Sequence, residues 1–354
     1  VQEVLYVELG DSDRSSIRFC EWLTISGDDT LVEHGNQFDR YCLCQDPTHP
    51  FVGILANPRV RLPFGNIAGK LMLNGMGLFN PQVDDSYIRA SIREYFVFYY
   101  RYIARVQPFL AWTWDWSALM TLVVSLREGF LPSISDPFRL DERVRGIASR
   151  ARVTPAQLRA LQTLHVHPAI FSPWMIIREL WLDRFVLLLG VFWASFQLYS
   201  FVNVVHQASF LWFAIPLVIL LLPFLFYARG VHSDIHEVER TIRERLPSST
   251  RIAGVKRVVI GHTHREVHEK LGDLELLNSG TWSPAYDDPE CTIPHGRKCF
   301  VWIRPDASGK RIARLWEFKD PGAEPLPPTA ESSLPPRLRE RLRDTLTGLR
   351  GDAS

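Results

Sequence analysis

The most informative segment of the chain is Val258-Val259-Ile260-Gly261-His262-Thr263-His264. The β-branched run predicts a buried strand, and Gly261 permits a turn directly after it. In an extended backbone, residues i and i+2 point to the same side, so His262 and His264 are expected to present both imidazoles to one pocket. Two imidazoles at a strand end are typical of a metal site, although a His-x-His on a loop is also common as solvated polar surface.

Two further blocks accompany this one. Upstream, Leu31 to Asp39 reads Leu-Val-Glu-His-Gly-Asn-Gln-Phe-Asp, and Thr30 to Glu33 is predicted to be a strand. Downstream, Leu276 to Trp282 reads Leu-Leu-Asn-Ser-Gly-Thr-Trp and is predicted to be a strand ending in a tight turn. In this order the three blocks resemble the calcineurin-like metallophosphoesterases. With Leu62-Pro63-Phe64-Gly65, the upstream block is similar to a membrane-associated bacterial branch of that superfamily.

The resemblance, which covers about residues 1–90 and 250–320, implies a centre of two divalent metals. Mn²⁺ is expected first, with Zn²⁺ or Fe as alternatives, since imidazole and carboxylate ligands suit all three. By resemblance, His262 and His264 each ligate one metal, and His34 is the ligand and catalytic residue of the His-Gly block. Asp39 and Arg265 are expected to bind substrate or to support the ligands.

The segment Gly10-Asp11-Ser12-Asp13 fits the family in two ways. In the first, which the fuller match of the upstream block favours, Asp11 replaces an Asn ligand and Ser12 replaces the His that assists the leaving group. In the second, Asp11 bridges both metals, Asn36 is the Asn ligand, and Gln37 stands in place of the His. Under either assignment Asp11 lies at the metals as a ligand and catalytic residue.

The family's opening Asp-x-His block is missing, because residues 1–9 contain neither Asp nor His. The chain starts at Val1, without an initiator Met or a signal peptide. Two expectations follow. The chain is either a fragment of an active enzyme whose first blocks lie upstream, or a catalytically degenerate, membrane-anchored binding or scaffold protein of the same fold.

Composition excludes some classes of partner. Forty Lys and Arg stand against 39 Asp and Glu, without a sustained basic stripe, so nucleic acid is not expected as a partner. The five cysteines are an odd number without C-x-x-C spacing, which favours a reduced cytosolic setting. Neither Cys42-x-Cys44 nor the cysteines near His295 have the spacing of a common structural zinc site.

Two long apolar runs, Phe185 to Val205 and Phe210 to Tyr227, are joined by a short uncharged loop. Each is about long enough to cross the hydrocarbon core, and neither has a polar face, which argues against a buried helix pair in a soluble core. The runs predict a transmembrane hairpin. Arg178, Arg184 and Arg229 flank its outer ends, so both flanks are expected to be cytoplasmic.

The run from Pro108 to Leu126 is nearly of span length but carries Asp115. A third crossing would leave the two catalytic halves on opposite sides of the membrane, so this run is interpreted as interfacial. Thr154-Pro155 is predicted to start a soluble helix, with Thr as N-cap and Pro at the first helical position. The alternating His165 and His167 are interpreted as structural.

The sequence therefore predicts an α/β calcineurin-like sandwich with an inserted helical transmembrane hairpin. Residues 1–90 and 251–320 form the phosphoesterase domain, 91–250 a membrane-associated helical insertion, and 321–354 a flexible tail. Val4 to Leu9 and Ser15 to Leu23 are predicted as a strand and a helix. The expected activity is hydrolysis of a phosphoester or pyrophosphate bond, in a phosphorylated small molecule or lipid-linked phosphate, at the cytoplasmic face of the bacterial inner membrane.

Overall fold

The computed structural model describes residues 19–43, 46–54, 57–72, 100, 108–134, 137–231, 237–283, 285–286, 294–295 and 297–328. The central sheet has five strands in the order β1-β2-β5-β7-β6. These strands are β1 (Leu23–Ser26), β2 (Thr30–Glu33), β5 (Arg257–Ile260), β6 (Glu266–Leu271) and β7 (Leu274–Ser279). Strands β2, β5 and β7 run parallel, whereas β1 and β6 pair antiparallel at the two edges. The chain is therefore mixed α/β with a mixed sheet.

The remaining strands form three smaller sheets. The largest joins β10 (Cys299–Pro305), β11 (Arg311–Lys319) and β12 (Gly322–Pro325). The others pair β3 (Phe51–Ile54) with β4 (Asn57–Val60), and β8 (Ala285–Tyr286) with β9 (Pro294–His295). Because β12 pairs with β11, residues 322–325 belong to a sheet rather than to the flexible tail predicted from 321, whose part beyond 328 lies outside the described residues.

Eight α-helices have described positions. They are α1 (Phe64–Leu71), α2 (Pro108–Phe130), α3 (Pro137–Ala151), α4 (Pro155–Gln162), α5 (Pro173–Glu179), α6 (Leu182–His206), α7 (Ala214–Gly230) and α8 (Val238–Ala253). The predicted start of α4 is confirmed: Thr154 Oγ1 accepts from the Gln157 amide at 3.1 Å, and Gln157 Oε1 accepts from the Thr154 amide at 2.9 Å. This reciprocal capping box satisfies two backbone donors at the helix start.

Helices α3, α4 and α8 cover one face of the central sheet. Alternate strand residues such as Leu31, Val258 and Leu276 point to that face and pack against apolar side chains of the three helices. The helical members of this core include Val144, Ile147, Ala148, Leu158, Leu161, Ile242 and Leu246. Helices α3 and α4 and most of α8, which continues to Ala253, lie within the predicted insertion 91–250, and they pack in the core against the central sheet.

The sheet of β10, β11 and β12 lies against β6 and β7. Arg257 of β5 connects the two sheets, because its Nη2 donates to the Arg311 carbonyl at 3.3 Å and its Nε donates to Glu275 at 2.6 Å. Asp29 accepts from both arginines, at 3.2 Å from Arg257 and 2.6 Å from Arg311. Charge-assisted bonds of this kind fix the position of the second sheet.

The predicted helix Ser15 to Leu23 is wrong where it can be checked. Residues 19–22 are not helical, and Leu23 begins strand β1. Leu23 and Ile25 are both buried in the core, and they alternate with Thr24 and Ser26 in the period of a half-buried strand. The sequence around Leu23 is therefore compatible with the end of a helix or the start of a strand. The hydrogen bonds between β1 and β2 favour the strand. The predicted strand Val4 to Leu9 lies outside the described residues.

Helices α6 and α7 are long and apolar enough to cross a membrane, judged by length and composition. The first has 25 residues, and the second, with the 3₁₀ turn before it, spans Phe210–Gly230 with 21. At about 1.5 Å per residue both match a hydrocarbon core of about 30 Å. Their apolar side chains are largely exposed, as expected of helices that face lipid rather than a protein core.

The outer ends of the two apolar helices are joined by polar side chains. Tyr227 of α7 donates its hydroxyl to Asp183 of α6 at 2.6 Å. Arg184 donates to the carbonyls of Arg178 at 2.8 Å and Val231 at 3.3 Å. Arg184, which was expected to flank the outer end of the first apolar run, is buried there and holds the ends of α6 and α7 together.

A half-buried histidine after α4, with both ring nitrogens buried, predicts a pH-dependent loss of stability. His165 packs edge-on against Trp22 at 4.8 Å, and neither ring nitrogen has a hydrogen-bond partner among the described residues. Burial lowers the pKa of His165 to about 4. Since an unfolded histidine has a pKa of about 6.5, the stabilisation is complete above that pH and is lost as the pH falls towards 4.

We expect the protein to be roughly 2 kcal/mol less stable at pH 5 than at pH 7.5 through this residue alone. His165→Phe should remove that part of the pH dependence, because phenylalanine fills the site without a titrating group. Denaturant unfolding in detergent at both pH values measures the difference. The same pH dependence in both proteins would show that His165 does not titrate between the two states.

Candidate metal centre

The site is built where two neighbouring parallel strands end. The carbonyl of His34, directly after β2, accepts from the amides of Gly261 at 3.1 Å and His262 at 2.9 Å, directly after β5. Gly35 follows with a φ of +99°, and a Cβ there would lie 3.3 Å from the Cβ of His262. Glycine at this position therefore allows both the turn and the close approach of the two histidines.

The imidazoles of His34 and His262 face each other. His262 Nδ1 lies 3.3 Å from His34 Nε2, with the ring centroids 5.1 Å apart and the ring planes at 75°. Two donor atoms on one tetrahedral metal, each about 2.0–2.1 Å from it, lie about 3.3 Å apart. The separation of these nitrogens therefore fits a pair of ligands to a single divalent cation.

Asp39 holds the second nitrogen of His262. The 3₁₀ turn Asn36–Phe38 carries the chain from His34 to this buried carboxylate, whose Oδ2 lies 2.8 Å from His262 Nε2. Its Oδ1 accepts from the Tyr41 amide at 2.8 Å. Burial acts to raise the pKa of Asp39, but the bonds from His262 and Tyr41 outweigh it and lower that pKa. An ionised Asp39 accepts a hydrogen bond from Nε2–H of His262, which leaves Nδ1 of His262 unprotonated, on the side of His34.

The other two histidines of the site are held in the neutral form. Burial lowers the pKa of His34, and the nearby His262 and His264 add to this. Partial desolvation of the His264 ring, with His262 nearby, likewise lowers the pKa of His264. Neutral imidazoles are the form that binds metal, so His34 and His264 can take up a cation near neutral pH without first losing protons.

The His-x-His spacing predicts that His262 and His264 lie on one side of an extended strand. In the structure they do not. Strand β5 ends at Ile260, and His264 has a φ of +57°, so the alternation of side chains stops before these residues. His264 is exposed, whereas His262 is partly buried. His264 remains close enough to influence His34 and His262 electrostatically, at the outer rim of the site.

Cys42 is a potential ligand that its spacing in the sequence did not predict. Among the described residues, Asp39, Cys42 and His262 form a group whose ligand atoms all lie within 4.8 Å of one another. Burial raises the pKa of the Cys42 thiol, with Asp39 nearby adding to the effect. The spacing of the cysteines does not predict this group, because Cys42 is brought to Asp39 and His262 by the fold and not by a Cys motif. Cys44 lies outside the described residues.

The other predicted site residues have different surroundings. Asn36 donates its Nδ2 to the Cys42 carbonyl at 3.3 Å, which fixes the turn next to the site. Arg265 lies 3.5 Å from a carboxylate oxygen of Glu239 on α8. Asn278, at the end of β7, donates to Thr263 Oγ1 at 2.8 Å and so supports the turn between the two downstream histidines. Asp11 lies outside the described residues.

A buried carboxyl group also lies next to the site. Glu33, the last residue of β2, is on the same face as Leu31, and burial raises its pKa to about 8 against the opposing effect of a hydrogen bond with Gln37. Within the described part of the chain, Glu33 Oε1 and Gln37 Oε1 are buried and have no hydrogen-bond partner. In the sequence, the one indication that Glu33 is buried is its position at the end of an apolar strand.

Comparison with known proteins identifies no relative for the chain: no family model, no curated protein and no solved structure matches it.

Proposed function

We propose that the chain is a metal-dependent phosphoesterase of calcineurin-like type, anchored by an inserted transmembrane hairpin at the cytoplasmic face of a bacterial inner membrane. The observation that carries the proposal is the His34–His262 pair, with nitrogens 3.3 Å apart and Asp39 bonded to the far side of His262. A carboxylate behind a ligating histidine is the arrangement that orients such ligands in metal enzymes.

In this proposal His34 and His262 hold a divalent cation, with Asn36, His264 and Asp11 completing the ligand set for one or two metals. Mn²⁺ is the expected occupant, and Zn²⁺ or Fe would suit the same donors. A bound cation would act as a Lewis acid towards a phosphoryl oxygen. Asp39 keeps His262 in one tautomer. Arg265, at the rim, binds the phosphate of the substrate.

The proposed substrate is a phosphoester or pyrophosphate, and a lipid-linked phosphate fits best because the apolar helices would hold the site beside the bilayer. A second candidate function is a membrane-anchored protein of the same fold that binds metal without hydrolysis. One observation favours this second function: the described part of the chain contains a single group of three ligand atoms, whereas a two-metal centre needs more.

The test is hydrolysis of bis(4-nitrophenyl) phosphate by the detergent-solubilised chain, with and without added Mn²⁺. We expect turnover that depends on the metal and falls about 10- to 100-fold in Asp39→Asn, because an amide cannot hold the protonated Nε2 of His262 in the same way. Asp141→Asn, which changes an exposed carboxylate of α3, is the matched control and should keep full activity.

The two candidate functions give different results. Metal-dependent turnover with the expected loss in Asp39→Asn supports the phosphoesterase. Metal binding without turnover in the wild-type chain would instead assign the binding function, and equal turnover in Asp39→Asn and Asp141→Asn would remove Asp39 from the site. Unfolding curves for both variants separate these outcomes from loss of the fold.

A further inference from the structure

Helix α2 buries polar side chains and exposes large apolar ones. Its fully buried positions include Ala118, Thr121, Ser125 and Glu128, of which three are polar. Four of its exposed positions, Trp116, Leu119, Val123 and Phe130, are large and apolar, with exposed fractions between 43% and 81%, beside the exposed charges of Asp115 and Arg127. A helix at a water-exposed surface buries its large apolar side chains instead. The environment that suits the exposed face of α2 is therefore apolar.

The buried face of α2 is occupied by its own protein. Thr121, Ser125 and Gly129 recur every four residues, and small residues at this spacing let helices approach closely. A Cβ at Gly129 would lie only 2.5 Å from the Ile170 carbonyl, so the helix packs tightly against the 3₁₀ turn Ala169–Phe171. Glu128 pairs with Arg59 at 2.5 Å. The polar face is thus used by internal packing, and the apolar face remains uncovered by described residues.

The uncovered face is continuous with the hairpin. Helix α2 packs against α5, and α5 leads through a short turn into α6. On this path Trp174 and Trp181 are 60% and 46% exposed. Tryptophan favours the headgroup layer of a bilayer, as does an exposed cation such as Arg127, which lies on the apolar side of α2 and would meet anionic lipid.

We propose that the exposed face of α2 is a second membrane contact, lying in the headgroup and upper acyl layer of the bilayer at the base of the hairpin. The contact rests on the proposed insertion of α6 and α7, and it does not depend on hydrolysis. It would place the metal centre beside the lipid surface. Tyr41 provides the link, because its amide donates to Asp39 and its hydroxyl donates to Glu179 of α5 at 3.1 Å.

The experiment is photo-crosslinking from single positions in the full chain. Val123 of α2 is replaced by p-benzoylphenylalanine, and the protein is reconstituted in vesicles of phosphatidylcholine and phosphatidylglycerol and irradiated. Leu198, exposed in the middle of α6, is the positive control. Trp302, an exposed aromatic residue of β10, is the matched negative control outside the helical part. Adducts are identified by mass spectrometry, and variants must keep the unfolding curve of the wild type.

We expect lipid adducts from positions 198 and 123, and at least tenfold fewer from position 302. Adducts at 198 without adducts at 123 would overturn the second contact while leaving the hairpin in place. Crosslinked dimers from position 123 would assign the face to a second copy of the chain and equally overturn the proposal. Absence of lipid adducts at both 198 and 123 would overturn the hairpin and the second contact together, independently of any phosphoesterase activity.

Discussion

Replacing His34 and His262 together by alanine is expected to lower the affinity for Mn²⁺ or Zn²⁺ by more than about 100-fold. Even residues that only orient a ligand cost 10- to 100-fold when removed, and these two side chains supply the paired nitrogens of the site. Equilibrium dialysis followed by elemental analysis measures the change. Phosphodiester hydrolysis should disappear with the metal.

The matched control is His167→Ala, which removes an exposed histidine that the sequence analysis interprets as structural. Its metal content should equal that of the wild type. If the double variant unfolds normally and binds metal with unchanged affinity, the metal is held elsewhere. The His34–His262 pair would then no longer support the proposed function.

The second large effect concerns membrane attachment. We expect the full chain to sediment with membranes and to resist extraction by carbonate or high salt, because α6 and α7 expose apolar side chains along almost their whole length. Deletion of residues 184–229 should weaken attachment enough for carbonate to release the protein. The two ends to be joined lie on the same side of the helix pair, since Tyr227 donates to Asp183 at 2.6 Å and the Arg184 side chain reaches the Val231 carbonyl.

The released variant should keep its metal, because α6 and α7 contribute no residue to the candidate site. Recovery of the intact chain in the soluble fraction without detergent would contradict membrane insertion of the hairpin. If the deletion variant resists carbonate as fully as the wild type, a transmembrane segment elsewhere in the chain anchors the protein.

The strands that position the site were predictable because their sequence signals are local. The β-branched run before Gly261 and the apolar start of the upstream block give β5 and β2 almost to the residue. The two apolar helices were predictable for the same reason, since hydropathy over about 20 residues requires no knowledge of contacts. The structure then adds that β2 and β5 are neighbours, which brings His34 to His262.

What the sequence missed depends on contacts between distant segments. Helices α3, α4 and α8 were assigned to the membrane insertion, yet their apolar faces fit the central sheet, which pattern alone cannot reveal. The orientation of His264 depends on a single left-handed residue after β5. Cys42 joins Asp39 and His262 through a turn of the chain, so its spacing carried no metal signal.

The most direct test of the proposed metal centre is X-ray absorption spectroscopy of the metal-loaded protein, with Zn²⁺ used for its well-defined bond lengths. We expect at least two imidazole ligands at about 2.0–2.1 Å, from His34 and His262, and no sulfur in the coordination sphere. A scatterer at about 2.3 Å with a single imidazole would contradict it, because that pattern belongs to a centre formed by Asp39, Cys42 and His262 instead.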